Sequence, residues 1–248
     1  MTFFRSALLA GLWLVSSATM ALPLATGDAP TGGRGDIGLP DRPWRNDDIG
    51  GVDADVLALA LRATACAVQS GTLAAFPPTL TVIDYSKPST AERLWVFDMR
   101  SKAVLYKELV AHGQGSGDNL PTRFSNDNDS HQSSLGLFVT EGTYVGKNGY
   151  SLRLKGLDEG FNDHASARAI VMHGAPYVTA ALARTQGRLG RSWGCPALRE
   201  PIAREVIDRV KGGGVIFSYA QNADWLRQSK YLVADCGAAL GTSTLSTF

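Results

Sequence analysis

The sequence predicts a mainly β domain (α+β), a β-rich sandwich or barrel with one helix near its front and another after Cys195. After Pro77-Pro78 the chain changes to short runs of β-branched, aromatic and aliphatic residues, separated by Gly, Asp, Asn and Ser. Few helical patterns lie between these runs, which argues against a doubly wound parallel sheet. The seven runs are TLTVIDY, RLWVFDM, AVLYKELVAHG, SLGLFVT, YSLRLKGL, RAIVMHG and GVIFSY.

Two segments have helical periodicity. The first, DADVLALALRATACAVQSG, has apolar residues at helical spacing, Asp53 as a capping residue and Gly71 as a stop signal. We assign this helix to residues 52–74 and expect it to pack on the domain. The second helix is predicted over residues 200–211, with Pro201 at its first position and Gly212 beyond its end.

The N-terminal residues 1–21 have the pattern of a secretory signal peptide. A single Arg precedes an apolar run of about a dozen residues, and small residues follow it. The run is short for a membrane span, so we expect export and no membrane span after cleavage; an uncleaved anchor is the alternative. Residues 22–51 are rich in Gly, Pro and Asp and are predicted to be a linker or a surface arm.

Composition limits the class of partner. Hydrophobic residues make up 44% of the chain and charged residues 19%, so a sizeable core can form. The formal net charge is +1, and loss of Arg5 with the signal peptide would make it zero. A neutral protein has no global electrostatic attraction to nucleic acid or acidic membranes. We therefore expect recognition in a local site and no nucleic-acid partner.

The chain contains three cysteines, Cys66, Cys195 and Cys236. In an oxidising compartment an odd number implies one thiol that is reactive or awaits an intermolecular partner. A Cys66–Cys236 disulfide with Cys195 free is one economical arrangement, although the sequence alone does not establish pairing. Cys66 lies within the first predicted helix, where a small buried core residue is the simplest interpretation.

The segment GRLGRSWGCPALRE holds two potential nucleophiles, Ser192 and Cys195. Ser192 satisfies G-x-S-x-G, but its lead-in is polar and Gly-rich, and a nucleophile elbow needs a buried strand followed later in the chain by the histidine. All the histidines precede Ser192: His112, His131, His164 and His173. A serine hydrolase is therefore disfavoured. The chain also lacks C-x-x-C and H-E-x-x-H, so a metal site made from scattered His and Asp is the weaker alternative.

A cysteine nucleophile fits the sequence better. Gly194 lets backbone N–H groups approach a substrate, and the helix predicted after Cys195 adds a partial positive field. His173 ends the apolar run AIVMH, where a strand would fix it and a turn would expose it as a base. Each feature also has an ordinary explanation, because Gly-Cys pairs are common in loops and a histidine at a strand end is commonly structural.

The segments IVMHGAPYV and GRLGRSWGCPAL together resemble the active-site signature of the L,D-transpeptidase (YkuD-type) family. The stretch from QSSLGLFVT to HGAPYV is similar to the murein L,D-transpeptidase branch, and the resemblance covers roughly residues 75–220. It implies a β-rich catalytic domain over residues 75–248 and an exported, periplasmic or cell-wall enzyme. It also implies peptidoglycan stem peptides as partners and no cofactor or metal.

The resemblance assigns a role to each matching residue. Cys195 matches the nucleophile and His173 the general base. Ser192 matches a Ser/Thr that supports the loop, Gly194 precedes the nucleophile and contributes to the oxyanion site, and Gly174 stands where relatives orient the histidine. The chemistry implied is acyl transfer through a Cys195 thioester, with an amine of a second stem peptide as acceptor.

Two departures from the family pattern bear on specificity. Trp193 replaces the histidine of Ser/Thr-His-Gly-Cys, and Pro196-Ala197 gives the form S-x-G-C-x-A. That form is similar to a branch that joins diaminopimelate to L-alanine. Arg191 is a candidate for a substrate carboxylate or an ordinary surface residue, and Trp193 for an apolar wall of the site or a core residue.

The sequence leaves two alternatives to the transpeptidase and does not assign the remaining histidines. The same site would act as an L,D-carboxypeptidase if water replaced the amine, and a catalytically silent cell-wall binding protein would keep the same scaffold. His112 and His131 are further candidates for lining the cleft, whereas His164 is expected at the surface.

Overall fold

The computed structural model describes residues 44–233 and Cys236. The predicted signal peptide and residues 22–43 of the predicted arm lie outside the described residues. The helices are α1 (Ala54–Gln69), α2 (Ala180–Gln186), α3 (Glu200–Val210), α4 (Ala223–Gln228) and α5 (Lys230–Val233). The strands are β1 (Thr79–Asp84), β2 (Leu94–Asp98), β3 (Val104–Glu108), β4 (Val110–Ala111), β5 (Gly136–Gly146), β6 (Gly149–Gly156), β7 (Val171–Ala175), β8 (Ala197–Arg199) and β9 (Val215–Tyr219).

The nine strands form one sheet in the order β3-β2-β1-β9-β5-β6-β7-β8-β4. The strands at its two ends, β3 and β4, are consecutive in the chain and only Leu109 separates them. The sheet must therefore curl until its ends approach each other, which gives a nearly closed, barrel-like form. The predicted mainly β class is confirmed.

The core lies against the middle of this sheet. Every residue of β1 and of β9 is buried, as expected for two central strands that pair in parallel and are covered on both faces. Helix α3 buries Val206, Ile207 and Val210 against the sheet and leaves its charged residues outside. Because α3 follows β8 without a gap, this packing also fixes the short segment in front of it.

Helix α1, Ala54–Gln69, is shorter than the predicted 52–74, but the predicted cap and stop residues lie at its two ends. The Asp53 carboxylate accepts hydrogen bonds from the N–H groups of Asp55 and Val56, and Gly71 has φ +72° just beyond the end. The cysteine arrangement considered above is also present: Cys66 of α1 is disulfide-bonded to Cys236, and Cys195 is free.

The seven predicted strands are all present, but the third run forms two strands, β3 and β4. Strand β8 was not predicted, because its three residues are too few to show an alternating pattern. The short helices α2, α4 and α5 were missed for the same reason.

Residues 44–51, at the end of the predicted arm, pack on the sheet. The Trp44 ring meets the Phe97 ring edge-on with centroids 5.4 Å apart. The Trp95 Nε1–H donates to the Gly50 carbonyl at 3.1 Å. Within the described part of the chain, no helix has the length and apolar character needed to cross a membrane.

Candidate active site

His173 and Cys195 are brought together by the parallel pair β7–β8. His173 lies in β7 and is the register partner of Ala197, the first residue of β8. Cys195 comes two residues before Ala197, so continuing the same register places it beside Val171, which is two residues before His173. A direct contact agrees with this placement, since the Val171 N–H points to the Cys195 Sγ at 3.4 Å.

The Cys195 thiol is nearly buried, with 8% of the residue exposed. Its Sγ accepts the hydrogen bond from Val171 N–H and faces the Ala169 carbonyl oxygen at 3.8 Å. Burial raises the pKa of this thiol, while the Val171 N–H and the positive charge of Arg168 act in the opposite direction. The resting site therefore favours a thiol over a thiolate, and a base is needed to remove the proton.

His173 has a fixed tautomer. Its Nδ1 lies 2.8 Å from the Gly174 carbonyl oxygen, which can only accept, so Nδ1 carries the proton. The Nε2 atom is then left with its lone pair. Burial lowers the pKa of His173, so the ring is neutral near pH 7 and can take a proton.

Ser192 holds the loop that carries Cys195. Its Oγ donates to the Cys195 carbonyl at 2.6 Å and accepts from the Gly194 N–H at 3.1 Å. The Ser192 N–H donates to the His112 carbonyl at 3.0 Å, which joins the loop to the segment after β4. The hydroxyl is therefore bound on both sides within its own turn, as expected for a supporting residue.

Gly194 occupies a position that only glycine fits. Its φ is +113°, and a Cβ would lie 2.6 Å from the Gln132 carbonyl oxygen. The expectation that the N–H groups of both Gly194 and Cys195 face an oxyanion needs correction, because the Gly194 N–H already donates to Ser192 Oγ. Among the described residues, no acceptor is recorded for the Cys195 N–H, which remains the candidate oxyanion donor.

Trp193 is exposed and stacked. It is 65% exposed, and its ring lies parallel to the His131 ring with centroids 4.7 Å apart and an interplanar angle of 8°. The Lys147 ammonium, from the turn between β5 and β6, lies 5.8 Å from the centroid of the indole ring. The alternative that Trp193 is a core residue is wrong. Its ring lies at the surface, immediately before Gly194 and Cys195 in the chain.

Arg191 is bound to the loop after β4. Its Nη1 donates to the Gly117 carbonyl at 2.9 Å and to the Asp118 carboxylate at 2.8 Å. Asp118 is well exposed, so this ion pair can exchange for another carboxylate at small cost. The structure thus shows a loop contact for Arg191 and leaves its Nη2 and Nε as further donors.

His112 does not line an open cleft, because it is fully buried. Its Nδ1 accepts from Arg93 Nη2 at 2.8 Å, and its Nε2 donates to the Gly117 carbonyl at 3.3 Å. Burial and then the Arg93 charge lower its pKa to about 4. His112 is therefore a neutral structural residue, whereas His131 lies at the surface of the site and His164 is exposed.

Sequence reasoning missed three residues that touch the loop. Ser133 accepts from the Gly113 N–H at 3.0 Å and donates to the Gly194 carbonyl at 3.3 Å. Val171 supplies the N–H that points to the thiol, and Arg168 lies behind Gly194. Ser133 comes from a polar stretch without periodicity, so no sequence signal marked it.

A cavity of about 570 Å³ lies elsewhere, between the segment after α1 and the C-terminal end of strand β6. It is lined by Phe76, Pro77, Lys155 and Tyr231 among others, and none of the candidate site residues takes part. It holds neither the free cysteine nor a histidine. In the described part of the chain there is no cluster of three His, Cys, Asp or Glu side chains suited to a metal ion.

Fold and site together define a mainly β chain whose curled sheet places a free, buried cysteine two register positions from a histidine of fixed tautomer on the neighbouring strand. The chain belongs to the L,D-transpeptidase catalytic domain family, whose profile matches residues 49–219. No curated protein matches the chain.

Several solved structures are similar in part. An L,D-transpeptidase from Mycobacterium smegmatis is 18% identical, with 58% of this chain and 59% of that chain covered and a TM-score of 0.36. Mycobacterium tuberculosis L,D-transpeptidase 1 is 16% identical, with 58% and 62% covered and a TM-score of 0.32. An L,D-transpeptidase from Stackebrandtia nassauensis is 13% identical, with 59% and 57% covered and a TM-score of 0.34. The chain thus spans less than two thirds of each neighbour.

Proposed function

We propose that this protein is an exported L,D-transpeptidase that cross-links peptidoglycan stem peptides through a thioester on Cys195. The observation that carries the proposal is a free thiol two register positions from a neutral histidine on the neighbouring strand, whose Nε2 is available as a base. Membership in the L,D-transpeptidase catalytic domain family supports the choice of reaction.

In the first step, His173 Nε2 takes the proton from the Cys195 thiol, and Sγ attacks the carbonyl carbon at an L-configured centre of the donor stem peptide. The Cys195 N–H, which has no acceptor among the described residues, donates to the oxyanion that forms. The imidazolium of His173 returns its proton to the leaving amine. A thioester on Cys195 remains.

In the second step, an amine of another stem peptide attacks the thioester carbonyl while His173 Nε2 accepts its proton. The tetrahedral intermediate collapses, and Cys195 leaves as a thiolate that regains the proton from His173. Ser192 keeps the Cys195 carbonyl and the Gly194 N–H in place through both steps, because its hydroxyl bonds to each. Water in place of the amine gives the L,D-carboxypeptidase alternative.

We assign the exposed Trp193 to substrate contact. Its ring is stiffened by the His131 stack, and the Lys147 ammonium beside it offers a positive charge. A stem peptide carries carboxylates, which the Lys147 ammonium attracts, and alkyl chains, which can pack on the Trp193 ring. Arg191 can exchange Asp118 for a substrate carboxylate, because a guanidinium binds that group with two parallel hydrogen bonds. The S-x-G-C-x-A form favours an L-alanine to diaminopimelate cross-link.

Export to the periplasm or cell wall is part of the proposal. The Cys66–Cys236 disulfide supports it, because such bonds persist in oxidising compartments. The signal-like residues 1–21 support it independently.

The test is mass analysis of muropeptides after the purified protein is incubated with a defined tetrapeptide-bearing substrate. We expect cross-linked dimers from the wild type and none from Cys195→Ala. Ser192→Ala loses the two hydrogen bonds of the Ser192 hydroxyl but keeps the thiol, so we expect its cross-linking activity to fall only about tenfold. A penem adduct on the wild-type chain and none on Cys195→Ala would locate the acylation. Hydrolysed tetrapeptide without dimers would identify a carboxypeptidase, and dimers from Cys195→Ala would overturn the proposal.

A silent cell-wall binding protein remains the second candidate, because it would keep the same scaffold. Alkylation kinetics separate the two. An enzyme should show one thiol whose rate depends on His173, whereas slow labelling that does not change in His173→Asn would indicate a binder.

A further inference from the structure

Arg168 holds a positive charge beside the nucleophile without a carboxylate partner. Its Nη1 donates to the Ser125 carbonyl at 2.8 Å and to Ser134 Oγ at 2.6 Å. Its Nη2 donates to Ser130 Oγ at 3.1 Å and to the Gln132 carbonyl at 2.7 Å. All four acceptors are neutral. Among the described residues no carboxylate lies within ion-pair distance of the guanidinium, and the Asp127 carboxylate acts on it only from farther away.

The guanidinium lies directly behind the loop of the nucleophile. A Cβ built on Gly194 would be 3.3 Å from Arg168 Nη2 and 2.6 Å from the Gln132 carbonyl oxygen to which Nη2 is bonded. A side chain at residue 194 would therefore press on the guanidinium and on the carbonyl that holds it. Glycine at this position lets the guanidinium pack directly against the loop of Cys195.

The segment that begins at Arg168 also contacts the Cys195 sulfur at two main-chain positions. Ala169 has φ +53°, a left-handed conformation that is unfavourable for a non-glycine residue, and its carbonyl faces Sγ at 3.8 Å. Two residues later the Val171 N–H points to Sγ. Backbone strain that persists beside a functional group is a sign that the surrounding structure holds the segment in place.

We propose that Arg168 is the residue that stabilises the thiolate of Cys195 by its charge and positions it for attack. It acts through space and does not touch the substrate, whereas His173 removes the proton. The inference rests on the proposed role of Cys195 as nucleophile.

The other titratable groups near the thiol do not supply this charge. Burial lowers the pKa of His173, which is neutral in the resting site. Burial raises the pKa of Tyr177 to about 12 and also raises the pKa of Tyr85, so neither phenol ionises near pH 7. Burial lowers the pKa of Arg168, but a guanidinium stays protonated at neutral pH. The charge of Arg168 lowers the pKa of the Cys195 thiol against the effect of burial.

The experiment is the pH dependence of Cys195 alkylation by iodoacetamide, measured on the full chain with Arg168→Lys, Arg168→Gln and Arg168→Met. We expect Arg168→Lys to keep the wild-type midpoint. Removing the charge in Arg168→Gln and Arg168→Met should raise the pH midpoint of alkylation by about one pH unit. At pH values below the midpoint, the alkylation rate should then be about tenfold lower than in the wild type. Arg209→Met, which breaks a surface ion pair with Asp98, is the matched control and should leave the midpoint unchanged.

Loss of hydrogen bonds alone would give a different result. If Arg168 were only a brace for the loop, Arg168→Lys would behave like Arg168→Met and both midpoints would move together, or neither would move. Either outcome overturns the proposal. Ser130→Asp provides a test that keeps the arginine, because Ser130 already accepts from Nη2 and is half-buried. A carboxylate there should pair with the guanidinium and raise the midpoint as Arg168→Met does.

The alkylation assay needs no peptidoglycan, so it is independent of the proposed reaction. The cross-linking assay is run on the same variants. A raised midpoint with no cross-linking by the wild type would support Arg168 and reject the transpeptidase. Cross-linking by the wild type with an unchanged midpoint in Arg168→Met would support the transpeptidase and reject the role of Arg168.

Discussion

The Nδ1 atom of His173 donates a hydrogen bond to the carbonyl oxygen of Gly174 at 2.8 Å, and this single contact decides which nitrogen of the ring is basic. The acceptor is main chain from the adjacent residue, so the tautomer is set by the course of β7 and needs no third side chain. Nε2 is consequently the atom available to the thiol.

His173→Asn tests this arrangement. The Asn amide nitrogen can keep the hydrogen bond to the Gly174 carbonyl, but the variant has no counterpart of Nε2. We expect cross-linking to fall by about 10²- to 10⁴-fold, the usual contribution of a general base, and the free energy of unfolding to change by about 1 kcal/mol or less. Turnover and urea unfolding are the measurements. Near wild-type turnover in the Asn variant would show that another group removes the proton.

Gly194→Ala should disable the site through the backbone. The new Cβ would lie 2.6 Å from the Gln132 carbonyl oxygen at a φ of +113°, so the loop must move and Cys195 with it. We expect at least about a 100-fold loss of turnover, because misplacement by about 1 Å has that effect. Gly142→Ala is the control, since its Cβ would meet nothing within 4 Å. Equal losses in the two variants would contradict a specific effect at the loop.

Acid should destabilise the fold through His112. Burial and the Arg93 charge lower its folded pKa to about 4, below the unfolded value of about 6.5. Between these values the unfolded chain binds a proton that the folded chain excludes, so stability falls as pH decreases. We expect His112 to account for about 2 kcal/mol of loss between pH 7 and pH 5. Urea unfolding of wild type and His112→Asn at both pH values measures it, and an equal loss in the two proteins would show that the ring titrates normally.

The Cys66–Cys236 disulfide should stabilise the fold without affecting the site. It closes a loop with a sequence separation of 170, for which chain entropy gives about 5 kcal/mol as an upper figure. We expect the free energy of unfolding of a Cys66→Ser, Cys236→Ser double variant to be about 3 to 5 kcal/mol lower than that of the wild type. Its turnover below the melting temperature should be unchanged. Denaturant unfolding and muropeptide assays measure the two effects. Lost turnover in a folded double variant would indicate coupling between α1 and the site.

The sequence by itself determined the seven strand-forming runs, the two longer helices and the pairing of His173 with Cys195 as the candidate site. Strand composition, the Asp53 cap and the Pro201 start are local features that are visible within a short window. The pairing of His173 with Cys195 came from the order of residues along the chain and the resemblance to the L,D-transpeptidase signature. The rejection of Ser192 as a nucleophile used its polar lead-in and the order of the histidines along the chain, and the structure shows its hydroxyl bound within its own turn.

Only the tertiary structure decided what surrounds the sulfur. Arg168 reaches Gln132 across 36 residues and Ser133 reaches Gly194 across 61, and both contacts depend on how the sheet curls. The stacking of Trp193 on His131 and the occupation of the Gly194 N–H by Ser192 depend on the same packing. Such contacts leave no periodic signal in sequence, because each is made by one polar or aromatic side chain in an irregular loop. The charge near the Cys195 thiol is therefore a property of the folded chain.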